Sequence, residues 1–183
     1  IYFKAFDPLA GEANETRSLY LFELGSGHNY QAQTEVPVGV PVPRGIDPVV
    51  LYSKIEGSET ETIMLASRNK KYQDLPVLNA KWWGQTSAAL NIQPADGVMV
   101  GFIDSDESFE IFIEQPNSKM RVTYFDKKGK PIDRLKGQKP SGFVVYNMGE
   151  GLHTIIIQSK SGLITTEAAY IDGSAVSLMY KNL

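Results

Sequence analysis

The chain has 183 residues, of which 42% are hydrophobic and 21% are charged, a balance typical of a folded globular protein. Its net charge of -3 gives no basic surface of the kind that nucleic acids require, so we expect no nucleic-acid partner. Because the chain has no cysteine, disulfides, thiolate metal sites and a cysteine nucleophile are all excluded. No apolar run approaches the roughly 18 residues that a bilayer requires, so we expect no membrane span.

Residues 1–47 are predicted to form an N-terminal β segment that ends in a proline-rich linker. Ile1 to Phe6 alternates apolar and polar residues, and Leu19 to Leu24 and Asn29 to Val36 are predicted as two further strands. The prolines between Val36 and Pro48 exclude a helix or a central strand. This stretch is therefore either a stiff polyproline linker or an edge strand that caps a sheet.

Residues 48–106 are predicted to form a first β-sandwich module. The predicted extended segments are Val49 to Ile55, Ile63 to Ala66, Leu75 to Val77, Ala80 to Gly84, Ala88 to Ile92 and Val98 to Ile103. No window longer than about ten residues keeps the apolar spacing of a helix without an interruption. We therefore predict an all-β chain.

Residues 107–183 are predicted to form a second β-sandwich module. Its predicted strands are Phe109 to Ile113, Met120 to Phe125, Phe143 to Tyr146, Leu152 to Gln158, Leu163 to Ile171 and Ala175 to Tyr180. A hairpin turn is predicted at Asp126 to Gly129. Many short strands at close turn spacing favour an antiparallel β-sandwich.

Two stretches of the chain resemble each other at an offset of about 54 residues. NKKYQDLPV is similar to DKKGKPI, and DGVMVGFIDS is similar to EGLHTIIIQS. An internal period of this size is expected of tandem β modules. The chain is accordingly predicted to form either one sandwich or two tandem small sandwich modules.

The C-terminal stretch RVTYFDKKGKPI, followed by SGFVVYNMGEGLHTIII, resembles the carboxypeptidase-regulatory-like (transthyretin-like) β-sandwich domain. The matching positions are Gly129 and Pro131 in the hairpin, Gly142 and Phe143 at the start of a core strand, and Gly151 in the turn before His153. The small-residue segment that usually follows the hairpin is replaced by DRLKGQK. The resemblance implies an accessory module for binding, spacing or folding on an exported protein, and hence an extracytoplasmic location.

The adjacent residues Trp82 and Trp83 are candidates for contact with a partner or a glycan. In a strand their rings would point to opposite faces, so one ring could be exposed. Together with Tyr72, an exposed indole would make a platform for a sugar ring or a partner protein. Alternatively, both rings pack between the two halves of the chain.

Asp104, Asp106 and Glu107 form the best candidate for a metal site. Carboxylates at alternate positions with a nearby glutamate supply hard oxygen ligands of the kind that Ca²⁺ prefers. The cluster lacks the central glycine and terminal glutamate of an EF-hand loop. Alternatively, it is a solvated acidic connector, and no other cofactor is expected.

His28 and His153 are the only histidines, which leaves little material for a histidine-based triad. His153 shares a strand face with isoleucines, so we expect a hydrogen-bonded or rim histidine. We therefore predict a non-enzymatic module for protein-protein binding or structural spacing in a surface or secretion-related assembly. A carbohydrate-binding module is the alternative, and a hydrolase is a third.

Overall fold

The computed structural model describes residues 1–9, 17–25, 27–42, 45, 47–93, 95–133 and 137–183, which form an all-β sandwich with one short helix. The strands of this part of the chain are β1 (Tyr2–Phe6), β2 (Ser18–Glu23), β3 (His28–Gln33), β4 (Pro37–Gly39), β5 (Val49–Ile55), β6 (Thr62–Ala66), β7 (Tyr72–Pro76), β8 (Val98–Asp104), β9 (Phe109–Ile113), β10 (Arg121–Phe125), β11 (Gly142–Tyr146), β12 (Gly151–Ser159), β13 (Ile164–Ile171) and β14 (Val176–Asn182). The helix is α1 (Ala80–Leu90). No helix within the described residues has the length and apolar character to span a bilayer.

These strands form three sheets. The central sheet has eight strands in the order β10-β11-β8-β14-β6-β5-β2-β3. The N-terminal sheet has the order β4-β1-β7, and the C-terminal sheet has the order β13-β12-β9. Most neighbours are antiparallel, whereas β14 runs parallel to both β6 and β8 and β1 runs parallel to β7.

Three buried cores join these layers. The first lies between the N-terminal sheet and β2, β5 and β6, and it includes Phe3, Leu19, Leu51 and Leu75. The second lies between the C-terminal sheet and β8 and β11, and it includes Phe143, Ile155 and Ile157. The third lies beneath α1 and includes Trp83 and Val144. Because Met99 belongs to the second core and its neighbour Val100 to the third, β8 is buried on both faces.

The central sheet takes strands from all three predicted segments of the chain. The boundary predicted at residue 47 is bridged by pairing between β2 and β5, and the boundary predicted at residue 106 by pairing of β8 with β11 and β14. The two similar stretches occupy different places, since β8 lies in the central sheet and β12 in the C-terminal sheet.

The proline-rich stretch supplies an edge strand. Pro37, Val38 and Gly39 of β4 pair antiparallel with β1 at the border of the N-terminal sheet. An edge is where a strand containing proline is tolerated, because its outer side needs no ladder hydrogen bonds. Residues 43, 44 and 46 of the same stretch lie outside the described residues.

The predicted extended segments at Ala80 to Gly84 and Ala88 to Ile92 are wrong, because residues 80–90 form α1 and Asn91 is its C-cap. The side chain of Asn79 caps the first turn by accepting a hydrogen bond from the Trp82 N–H, and Asn91 ends the helix in a left-handed conformation. Alanine, leucine, lysine and glutamine favour a helix between these two caps. The segment is too short and too mixed for its apolar period to reveal this.

Candidate binding surfaces

Trp82 connects α1 to the hairpin that follows β10 through a hydrogen bond and ring packing. Its indole Nε1 donates a hydrogen bond to the backbone oxygen of Gly129 at 2.7 Å. Its ring packs edge-on against Phe125, with centroids 5.0 Å apart, and lies 6.3 Å from the ring of Phe102. The indole thus has a structural role, and this packing leaves it partly buried.

Trp83 points into the core beneath the same helix. Only 8% of its surface is exposed, and it packs with Val98 and Val176 of the central sheet. In a helix, neighbouring side chains diverge by about 100°, so one tryptophan meets the hairpin while the other meets the sheet. Trp83 therefore exposes little ring surface to a ligand.

Tyr72 is the predicted contact residue that the structure places in solvent. It is 68% exposed on the outer face of the N-terminal sheet. Its ring stacks on Tyr2 of the parallel neighbour β1, with centroids 5.4 Å apart and an interplanar angle of 24°. Gly39 follows in the same row, and a Cβ atom there would lie 3.2 Å from the Tyr2 ring. The sheet thus presents two exposed, stacked phenols that sequence reasoning did not pair.

The polar groups around this aromatic pair are close enough to complement it. The Lys71 ammonium lies 5.4 Å from the centroid of the Tyr72 ring, a cation-π distance. Lys4, which follows Tyr2 by two residues on the same side of β1, forms an ion pair with Glu35 at 2.7 Å. The hydrogen bond and the charge of Glu35 raise the pKa of Lys4. The surface therefore combines ring faces with hydrogen-bonding groups.

The acidic stretch is held by contacts with the turn between β12 and β13. The Oε2 atom of Glu107 accepts a hydrogen bond from the Ser161 N–H at 3.0 Å, and hydrogen bonds from Ser161 lower the pKa of Glu107. Asp106 and Glu107 line a shallow depression of about 430 Å³ that Lys139 and Lys160 also line. Two ammonium groups beside the acids oppose the binding of a cation.

Asp104 lies apart from this depression, at the end of β8. Its backbone oxygen accepts a hydrogen bond from the Leu183 N–H at 3.0 Å. Burial, followed by the charge of Asp104, raises the pKa of the Tyr180 hydroxyl. Among the residues that the structure describes, no group of three or more histidine, cysteine, aspartate or glutamate side chains is placed to hold a metal ion. Calcium binding by Asp104, Asp106 and Glu107 stays a prediction.

The two histidines lie in different sheets. His28 begins β3, at the edge of the central sheet, and its ring centroid lies 6.4 Å from that of Tyr30. His153 lies in β12, and its Nε2 atom is 2.7 Å from the backbone oxygen of Gly149. Each ring contacts its own local strand or turn, so the fold does not bring the two together in one site.

The outer face of the C-terminal sheet carries several large, exposed apolar side chains. Its rows follow the register Phe112-Ile156-Thr166, Thr154-Ala168, Leu152-Tyr170 and Glu110-Gln158-Ile164. Leu152 is 68% exposed and Ile164 is 60% exposed, and Phe112 and Tyr170 are exposed as well. Of the outward positions in these three fully described strands, Glu110 alone is charged. We refer to this surface as the apolar face.

Sequence reasoning missed the apolar face for an identifiable reason. In β12 both sets of alternate residues contain large apolar side chains, with Leu152 and Ile156 on one side and Ile155 and Ile157 on the other. Ile155 and Ile157 are fully buried against the central sheet. An apolar pattern on both sides predicts burial on both faces, but the C-terminal sheet has a neighbouring layer on one side only within the described residues.

Comparison with known proteins returns no match, neither to a protein-family model nor to a curated protein. The resemblance to the carboxypeptidase-regulatory-like domain therefore stays a prediction from the hairpin and strand motifs. Any functional conclusion has to come from the geometry of these surfaces.

Proposed function

We propose that the chain is a non-enzymatic, extracytoplasmic β-sandwich module that binds another protein through the apolar face. The observation that carries the proposal is the exposure of Leu152 beside Tyr170, and of Phe112 and Ile164 further along the same side of one sheet. An antiparallel sheet with one side in water ordinarily presents polar side chains there. A contiguous exposed apolar surface is instead typical of an interaction site.

The size of the apolar face indicates how a partner would use it. Three strands of five, nine and eight residues, about 4.8 Å apart and with about 3.3 Å per residue, give a surface of roughly 350 Å². A stable interface buries about 800 Å² on each partner. The apolar face therefore supplies the desolvated centre of an interface whose rim comes from the neighbouring loops and strand edges.

The non-enzymatic and extracytoplasmic parts of the proposal have separate support. His28 and His153 belong to different sheets, so the described residues supply no paired histidine chemistry. The extracytoplasmic location follows from the resemblance of the C-terminal motifs to modules of exported proteins. Cell fractionation with an antibody against the chain tests it, and a purely cytoplasmic signal would contradict that part.

Site-specific photo-crosslinking tests the protein-binding role. A photoreactive amino acid is placed at Phe112, on the apolar face, or at Tyr20, an exposed aromatic residue of the central sheet. We expect one discrete protein adduct from position 112, its loss in a Leu152→Lys background, and none from position 20. Equal adducts from both positions, or an adduct that survives Leu152→Lys, would refute the proposed interface.

Carbohydrate binding is a second candidate, and the stack of Tyr2 on Tyr72 favours it. Exposed phenol faces next to charged groups suit the apolar C–H face and the hydroxyls of a sugar ring. Binding to a glycan array by the wild-type chain and its loss in Tyr72→Ala, but not in Tyr20→Ala, would support this candidate. A wild-type chain that binds no glycan on the array would remove it.

A further inference from the structure

The two halves of the central sheet are joined by a very short ladder. β14 and β6 are parallel, and their register consists of Val176 opposite Thr62 and Ser177 opposite Ile63. Each strand continues beyond this point with its other neighbour, β14 along β8 to Asn182 and β6 along β5 to Ala66. Past Ser177 the two strands therefore diverge, and the sheet opens between them.

The hydrogen-bond pattern shows which way the backbone of β6 points. The Val176 N–H donates a hydrogen bond to the Glu61 oxygen, so the backbone groups of Glu61 point towards β14. The backbone groups of every second residue further along β6 point the same way. On the other side of β5, the Val50 oxygen accepts a hydrogen bond from the Leu24 N–H. Val50 therefore directs its backbone groups towards β2 and away from Leu65, the residue opposite it in β6. Both observations direct the N–H and C=O of Leu65 into the opening.

The same reasoning applies to β14. The Leu183 N–H donates a hydrogen bond to the Asp104 oxygen at the end of β8. The backbone groups of every second residue before Leu183 therefore also point towards β8. Tyr180 then presents its N–H and C=O to the opposite side, towards β6. Two strands thus aim backbone donors and acceptors into one opening.

Gln73 shows how such a backbone edge is satisfied. At Ser67, just beyond β6, the Gln73 side-chain amide accepts from the Ser67 N–H at 2.9 Å and donates to the Ser67 oxygen at 2.7 Å. These are the two hydrogen bonds that a peptide group of a neighbouring strand would make. The amide of Gln73 closes the far end of the opening in the manner of a strand.

The opening is a groove with room for a peptide. It has a volume of about 530 Å³, and its lining includes Leu65, Gln73, Ala168 and Tyr180. The length of β14 from Leu178 to Asn182 corresponds to about 16 Å of extended chain. The groove therefore accommodates a segment of about five residues.

The charges at the rim of the groove favour a basic segment. Lys181 is already paired with Glu167 across the groove wall. The remaining charged residues of the lining are Asp47, Asp74 and Lys70, so acidic groups are in excess. A positively charged side chain would complement them.

We propose that the groove between β6 and β14 binds an extended segment of a partner protein as an added β-strand, with a basic side chain near Asp74. The backbone groups of Leu65 and Tyr180 supply the main-chain hydrogen bonds of this strand addition, and the basic side chain contributes selectivity. This site shares Ala168 with the apolar face and otherwise has different residues, so each can fail without the other.

Amide hydrogen exchange of the whole chain tests whether the groove is open. Leu65 and Tyr180 are expected to exchange about tenfold faster or more than Met64 and Met179, whose N–H groups face β5 and β8. Exchange of all four at the same slow rate would overturn the proposal, because it would show that the gap-facing groups are already bonded.

A phage-displayed library of eight-residue peptides then provides the probe. We expect selected peptides to carry lysine or arginine, to slow exchange at Leu65 and Tyr180, and to lose binding about tenfold when Asp74→Lys reverses an acidic charge of the lining. Asp106→Lys makes the same charge change in the depression beside Glu107, outside the groove, and is the matched control that should bind normally. A library without binders, or an equal loss from both variants, would overturn the proposal, whereas loss in Phe112→Lys alone would point to the apolar face.

Discussion

Trp82 and Gly129 are joined by a hydrogen bond that links α1 to the β10 hairpin across 47 residues of chain. The glycine is required twice, since its φ of 73° favours glycine and a Cβ atom there would lie 2.3 Å from the Trp82 Nε1 atom. The hairpin glycine that the sequence identifies as a turn residue is therefore also the residue against which α1 packs. One substitution disturbs both elements.

Gly129→Ala should lower the free energy of unfolding by about 2–3 kcal/mol, because backbone strain and the clash with Trp82 add. Gly57→Ala is the matched control, since Gly57 has a φ of 79° but nothing within 4 Å of the added methyl group. We expect the control to cost about 1 kcal/mol in urea unfolding. Equal costs for the two variants would show that the contact with Trp82 contributes nothing.

The strands follow from local pattern, and several were predicted with nearly the observed bounds. Val49–Ile55 alternates buried and partly exposed residues, and β5 has these same ends. The run of apolar residues from Val98 to Ile103 predicts burial on both faces, and β8 lies beneath α1 on one side and the C-terminal sheet on the other. Period-two alternation needs no knowledge of the partner strand.

The pairing of distant strands could not be predicted in the same way. Tyr2 meets Tyr72 because β1 and β7 are parallel neighbours, a relation between residues 70 positions apart that no local pattern records. The helix was missed because its evidence lies in two asparagine caps and not in an apolar period. The candidate surfaces depend on these non-local relations, so only Tyr72 among the predicted contact residues is prominently exposed.

Asn79→Ala should lower the free energy of unfolding by about 1–2 kcal/mol, because the cap of α1 is lost. Asn79 has a second role, since its Nδ2 donates to the Oδ2 atom of the buried Asp7 at 2.8 Å. Asn79→Asp retains a capping oxygen but places two carboxylates together, so we expect it to be destabilised as well. Thermal unfolding of the two variants separates these roles, and a fully stable Asn79→Asp chain would contradict the contact with Asp7.

The stability of the protein should fall above pH 10 because of Tyr52. Burial, followed by its hydrogen bond to Asp172, raises the pKa of Tyr52 to about 12. The folded chain holds this proton more tightly than the unfolded chain, so the stabilisation is full below the unfolded pKa of about 10 and is lost as the pH rises through 12. Because the side chain is only half-buried, solvent screening limits the effect to roughly 1 kcal/mol.

Urea unfolding of the wild type and Tyr52→Phe between pH 8 and pH 11 measures this contribution. The two curves should differ most at pH 8 and converge as the pH rises above 10. Tyr20→Phe, which removes an exposed hydroxyl from β2, should run parallel to the wild type. A constant difference between wild type and Tyr52→Phe would show that the proton of Tyr52 does not contribute.

The carboxyl group of Asp172 should respond more to Ser174 than to Tyr52. Hydrogen bonds from the Ser174 side chain and backbone lower the pKa of Asp172, and the Tyr52 hydroxyl contributes less. The stabilisation is therefore present above the unfolded pKa and is lost as the pH falls through the folded pKa. In a carboxyl ¹³C titration we expect Ser174→Ala to raise the pKa of Asp172 more than Tyr52→Phe does, and the reverse order would contradict the geometry.

Leu152→Ser should leave the free energy of unfolding within about 0.5 kcal/mol of the wild type, because Leu152 is 68% exposed and little apolar surface is lost. Ile155→Ala, on the buried side of the same strand, should cost about 2–5 kcal/mol. Retention of Leu152→Ser on a hydrophobic-interaction column should fall while its unfolding curve stays unchanged. This combination would show that the leucine is dispensable for folding and that its apolar surface is free to contact a partner. A large loss of stability in Leu152→Ser would instead make the apolar face part of the core.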